Sequence, residues 1–169
     1  MTPYYFYFFF IFILYLTHLF LTYKKISDEL VYYTLLIFII LFTGLRFEVG
    51  SDWQNYEYLY SNKIDKFVKT IFSRDIGYSL ISYIFKSLNF DYVIFNVFLS
   101  IIGIIPVFIY CRNNPNWFIG VFMAVPYFFT ICVMGYVRQG VATGILFLVA
   151  LSIQKNNKFL FLSSVILAT

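Results

Sequence analysis

The chain has 169 residues, 62% of them hydrophobic and 12% charged, with a formal net charge of +4 and a mean hydropathy of +0.82. A soluble domain carries charge on roughly a quarter of its residues, so a soluble globular domain is excluded and an integral membrane protein is expected. One histidine, His18, and two cysteines cannot assemble a zinc or iron centre, so no metal or other cofactor is expected.

Residues 4–22 form an apolar run of nineteen, enough to cross a hydrocarbon core of about 30 Å. No basic stretch precedes it and no small-residue cleavage site follows, so it reads as a retained helix, not a signal peptide. His18 lies inside it and reads as a packed or interfacial side chain. Residues 30–45 form a second run, extendable to Phe47, and residues 91–110 a third that contains Gly103 and Pro106. After the polar turn at 112–116, residues 117–134 form a fourth run with a kink expected at Pro126. Cys111 and Cys132 fall near opposite ends of one expected span, roughly 30 Å apart if helical, beyond the reach of a disulfide. Residues 139–153 form a fifth run, and residues 159–169 open a sixth that is too short to span. The expected fold is all-α. It is a single polytopic membrane domain over residues 1–169, with about five full transmembrane helices, a truncated sixth, and one or two interfacial amphipathic helices in an external segment. The run that stops at residue 169 reads as part of a longer protein.

The 46–90 segment is more polar, yet patterned. Ser51 followed by Gln54 matches a capping box. Trp53, Tyr56, Tyr60, Ile64, Phe67 and Ile71 recur at spacings of three and four, one apolar helical stripe. Further on, Ser79, Ser82 and Lys86 form a polar line, while Leu80, Ile81, Ile84, Phe85 and Leu88 form an apolar face. Both read as helices lying in the interface or capping the bundle, with a short spanning or re-entrant helix as the alternative for the second. Lys24/Lys25, Arg112 and Lys155/Lys158 sit in the first, third and fifth connections. If 46–90 does not cross, all three share a side, which the positive-inside rule makes cytoplasmic. The six basic residues of 46–90 count against that bias. Arg46, Asp52, Asp75 and Arg138 would then face outside.

Charge at the mouth of a membrane bundle is costly without partners, which singles out two segments. The first is Gly44-Leu45-Arg46-Phe47-Glu48-Val49-Gly50-Ser51-Asp52-Trp53-Gln54-Asn55-Tyr56. The second is Met134-Gly135-Tyr136-Val137-Arg138-Gln139-Gly140-Val141-Ala142, where Arg138 has no other charge near it in sequence. Gly140 and Gly144 also form a small-xxx-small pair suited to helix packing. Alone, Arg138 reads as a snorkelling anchor. With Arg46 at the same expected depth, the two arginines read as a planar, bidentate clamp for a phosphate or pyrophosphate. Asp52 reads as a helix cap before Trp53 or a partner of Arg46. Glu48 reads as an exposed or pairing residue.

The segment from Arg46 to Tyr56 resembles the R-x-x-V-G-(T/S)-D-(Y/W)-x-x-Y signature of the EpsG family, which is similar to Wzy-type polysaccharide polymerases. Asp75-Ile76-Gly77-Tyr78 falls where that family often shows a Glu-Pro-Gly-aromatic element, and Val137-Arg138-Gln139-Gly140-Val141-Ala142 resembles its (I/V)-R-Q-x-(I/V)-A element. Asp75 and Ile76 depart from the usual Glu and Pro. The resemblance covers the N-terminal half of a typical member, and the histidine-bearing element expected soon after the fifth helix is not reached.

The resemblance implies a metal-independent, glycosyltransferase-type polymerase, multi-pass in the bacterial cytoplasmic membrane. It would join undecaprenyl-pyrophosphate-linked oligosaccharide repeat units outside that membrane, for O-antigen, capsule or exopolysaccharide. Membrane lipid and export or chain-length proteins are the implied partners; nucleic acid is not. Arg46 and Arg138 would bind the donor pyrophosphate and stabilise charge on the leaving group. Asp52 would be the base for the acceptor hydroxyl. Tyr56, Tyr78 and Gln139 would contact substrate, and Asp75 would orient an arginine or assist as acid or base. The alternative is a polytopic transporter or flippase of a lipid-linked or anionic substrate, for which the paired inverted repeats are lacking. A polysaccharide acyltransferase would need a reactive histidine, a role for which His18 is poorly suited.

Overall fold

Hydrocarbon offers the backbone no hydrogen bonds, so apolar runs of this length must satisfy their own amides by coiling. All regular structure among the described residues is helical. The computed structural model describes residues 9, 11–13, 15, 16, 28–50, 52–61 and 76–168. His18, Lys24, Lys25, Ser51, Ile64, Phe67, Ile71 and Asp75 lie outside the described residues. The first apolar run is therefore described only at 9, 11–13, 15 and 16, all helical.

The elements are α1 (Asp28–Gly44), α2 (Trp53–Ser61), α3 (Ile76–Ser87), α4 (Tyr92–Arg112), α5 (Trp117–Ala124), a π-helix (Val125–Val133), α6 (Val137–Gln154) and α7 (Lys158–Ala168). Helices α4 and α6 are long and apolar enough to cross a membrane, and α5 with its π continuation is a shorter apolar helix. Five full spans are expected from the sequence; two stand by length and composition among the described residues.

The expected kink at Pro126 takes the form of the π-helix. Proline lacks an N–H and obstructs the usual ladder, and the coil is widened from Val125 onward, with Pro126 in its first turn. The Thr130 hydroxyl donates to the carbonyls of Val125, at 3.2 Å, and of Pro126. Regular coiling ends at Tyr136, whose backbone (φ −118°, ψ 72°) precedes α6.

Helices α1, α4, α5 with its π extension, and α6 alternate in direction. At one end, the Tyr32 ring meets Trp117 at 5.3 Å and Phe108 at 5.5 Å, with the Arg112 guanidinium 4.9 Å from the Tyr32 centroid. The other end gathers the end of α1, the start of α4, the end of the π-helix and the start of α6. Between them lies an apolar core in which Leu35, Ile39, Val107, Phe108, Val121 and Phe129 have no exposure. Glycine sets the closest approaches. A Cβ on Gly144 would collide with the Gly103 carbonyl, and one on Gly44 would lie 2.7 Å from Val97 Cα. Gly140 and Gly144 therefore do pack helices together, against the π-helix end and α4 respectively.

In helix α3 the serine line points inward, with Ser79 and Ser82 buried; of the apolar face, Ile81 and Phe85 pack on the aromatic cluster, whereas Leu80 and Ile84, and Leu88 just after the helix, are exposed. The Ser82 hydroxyl donates to the Ser79 carbonyl at 2.9 Å. Small serines allow close packing on the protein side, and the outward apolar face suits lipid rather than water. Helix α2 faces as its stripe requires, burying Trp53, Tyr56 and Tyr60.

Candidate functional site

The loop leaving α1 carries Arg46 into the protein, where the residue is 6% exposed. Its Nη1 donates to the Val133 carbonyl at 2.9 Å, and its guanidinium carbon lies 5.8 Å from the Trp53 ring centroid. The last carbonyls of a helix lack partners within it and form its negative end. The end of the π-helix thus supplies an acceptor and a favourable field for a cation. Glu48 (φ 52°) and Gly50 (φ 113°) turn the loop back. A Cβ at Gly50 would strike the Met134 carbonyl, so this glycine lets the loop lie directly on the helix break. Gly140 serves the same joint from the other side: its Cβ would lie 2.7 Å from the Cys132 carbonyl oxygen.

Arg138 stands in the first turn of α6, where the helix field disfavours a cation. Two rings compensate: its guanidinium carbon is 4.7 Å from the Tyr78 centroid and 5.2 Å from that of Tyr56. Such contacts contribute about 0.5–2 kcal/mol each, more as water is excluded. An arginine on a helix N-terminus, whose first amides have no partners within the helix, concentrates positive potential suited to an anion.

Both arginines rest on one aromatic cluster formed by α2, α3 and the start of α4. Trp53 and Tyr92 are 5.0 Å apart between centroids, Tyr56 and Tyr78 5.7 Å, and Tyr78 and Phe95 5.4 Å. Tyr60 donates its hydroxyl to the Phe90 carbonyl at 2.6 Å, tying α2 to the turn before α4. The cluster also holds buried polar atoms: Tyr92 Oη and the Asn96 amide, one turn apart, face one another, and Trp53 Nε1 finds no acceptor among the described residues. A buried donor left so costs about 1–3 kcal/mol. Burial, reinforced by neighbouring Tyr92 and opposed by Arg138, raises the Tyr78 phenol well above its ordinary pKa of 10.0. Burial and the nearby Asp91 carboxylate raise that of Tyr60.

Beside the cluster, a groove of about 400 Å³ is lined by Phe38, Leu41, Phe42, Leu45, Val49, Met134 and Arg46. Among the described residues, no three His, Cys, Asp or Glu side chains gather as a metal site.

A sequence model described as the EpsG family matches residues 29–169. The chain belongs to the EpsG family. No curated protein and no solved structure matches it significantly. EpsG membership fits a Wzy-like polysaccharide polymerase with a lipid-linked oligosaccharide as its class of substrate, and with the apolar helices it makes the chain a membrane protein.

In this EpsG-family chain, Arg46, Arg138, Tyr56 and Tyr78 converge on the cluster. Asp52 is half-buried at the start of α2, its backbone carbonyl accepting from the Tyr56 N–H at 3.0 Å. Glu48 and Gln139 are exposed, and Asp75 lies outside the described residues. Sequence reasoning missed Tyr92, Asn96 and the Val133 carbonyl. The first two left a trace: Asn96 is an amide inside an apolar run, one helical turn after Tyr92. The carbonyl left none, because its role depends on where a π-helix ends.

Proposed function

We propose that this EpsG-family chain polymerises lipid-linked oligosaccharide repeat units at the outer face of the bacterial inner membrane, as a multi-pass enzyme. One observation carries the reading: two arginines from distant segments share a single aromatic cluster at one end of the bundle. A diphosphate leaving group needs that kind of charge, fixed beforehand in surroundings of low dielectric.

In the proposed reaction, an acceptor sugar hydroxyl attacks the anomeric carbon of the donor chain. The new C–O bond forms as the bond from that carbon to the diphosphate oxygen breaks. The electron pair leaves on the lipid diphosphate, where Arg46 and Arg138 offset the charge. Asp52 takes the hydroxyl proton. Tyr56 and Tyr78 hold the Arg138 guanidinium flat and offer ring faces to sugar. Geometry then matters as much as charge, because a lysine ammonium cannot reproduce a planar fork stacked on two rings.

The test replaces each arginine and reads chain length on gels of surface polysaccharide. Arg46→Ala and Arg138→Ala are expected to leave single repeat units on the surface with no long polymer. Arg138→Lys is expected to cut polymer yield at least about tenfold, the equivalent of about 1.4 kcal/mol of lost interaction. Normal chain length in both alanine variants would refute the reading. Accumulation of repeat units inside the cell would instead indicate transport.

A further inference from the structure

The groove beside Arg46 has a composition that neither a sugar nor a free phosphate explains. Phe38, Leu41, Phe42 and Leu45 lie at spacings of three and four on α1 and the residue after it, and so form one wall. Val49 and Met134 complete the lining, and Arg46 is the only charged residue among the described ones that line it. Leu41 is 43% exposed and Leu45 56%, so the wall is continuous with the outward apolar surface of α1. The volume, about 400 Å³, lies near the small end of ligand pockets, about 300–1,000 Å³. It accommodates the first few units of one branched hydrocarbon chain, not the paired tails of a phospholipid. Arg46 is held by the Val133 carbonyl and the Trp53 ring, so its charge is positioned before anything arrives.

We propose that this groove seats the phosphate-proximal isoprene units of a polyprenyl diphosphate carrier, with the diphosphate against Arg46. The assignment rests on the polymerase reading and specifies which surface recognises the carrier. Charge complementarity selects the occupant: a hydrocarbon chain with an anionic head matches an apolar slot whose one charged lining residue, among those described, is Arg46.

The experiment uses the protein in phosphatidylcholine nanodiscs and a short polyprenyl diphosphate bearing a diazirine on its second isoprene unit. Labelling is expected on peptides spanning residues 38–49 and on Met134. Leu41→Trp, which fills the slot from an exposed position, is expected to reduce labelling at least tenfold. Leu45→Trp, beyond the end of α1, is expected to do the same and serves where the helical variant is poorly made. Leu30→Trp, near the far end of α1 and 63% exposed, is expected to leave labelling unchanged. Excess unlabelled prenyl diphosphate should compete, and dioleoyl phosphatidate at the same concentration should not. Labelling elsewhere, labelling indifferent to both groove variants, or equal displacement by phosphatidate would each overturn the assignment. The two readings fail separately. If the arginine variants lose polymer while labelling ignores the groove, the polymerase stands and the groove falls. If labelling obeys the groove while both arginine→Ala variants make normal polymer, the groove remains a carrier site and the polymerase falls.

Discussion

A guanidinium over two phenol rings sets the character of this protein at the scale of single residues. The Arg138 guanidinium lies against the Tyr78 and Tyr56 rings, which offer a cation the negative faces of their π systems. The same enclosure holds the Tyr78 phenol neutral, mainly through burial. Because the folded pKa lies above the unfolded value of 10.0, stability from this group is complete below pH 10 and falls as pH rises beyond it. Tyr78→Phe is expected to flatten part of that alkaline loss. The check is a series of thermal unfolding scans in detergent from pH 8 to 11, in which identical slopes for the variant and the parent would contradict it. The arginines are legible from sequence because isolated charge stands out against apolar neighbours. Tyr92 and Asn96 leave only a fainter trace, an amide one turn after a tyrosine inside an apolar run, which does not say what the two will face.

Periodicity finds the elements but not always their facing. In water the apolar side of a helix turns inward, and α2 obeys by burying Trp53, Tyr56 and Tyr60. Beside lipid the rule loses its direction, and α3 packs its serines inward together with Ile81 and Phe85 while turning Leu80 and Ile84 out. Apolar side chains there occupy both sides of one helix. The π-helix was equally out of reach, because Pro126 announces a disturbance without saying whether the chain bends or widens. Glycine spacing was more informative. Gly144 allows α6 to rest on the Gly103 backbone of α4, so Gly144→Leu must push the two apart. The expected cost is at least about 1–3 kcal/mol, the usual range for overpacking. It should appear as a lowered melting temperature, whereas Ile153→Leu, on an exposed position of the same helix, should show no change.

Across the whole molecule, the alternation of helix directions sends Arg112 and Lys155 to one end and Arg46 and Arg138 to the other. This ordering was legible from the spacing of basic turns; its side of the membrane is an expectation to be mapped. After replacement of Cys111 and Cys132, single cysteines at Phe47 (67% exposed), Tyr136 (44% exposed) and the exposed Asn113 provide the probes. A membrane-impermeant maleimide is expected to label the first two in intact cells and to spare the third. Labelling that separates positions 47 and 136 would contradict the shared end.

The bond from Arg46 to the Val133 carbonyl spans 87 positions of sequence, yet it lands only five residues before Arg138. The two cations are therefore tied to one short length of backbone, 133–138, which includes the break in coiling at Tyr136. A displacement of that stretch reaches both charges at once, whichever helix starts it.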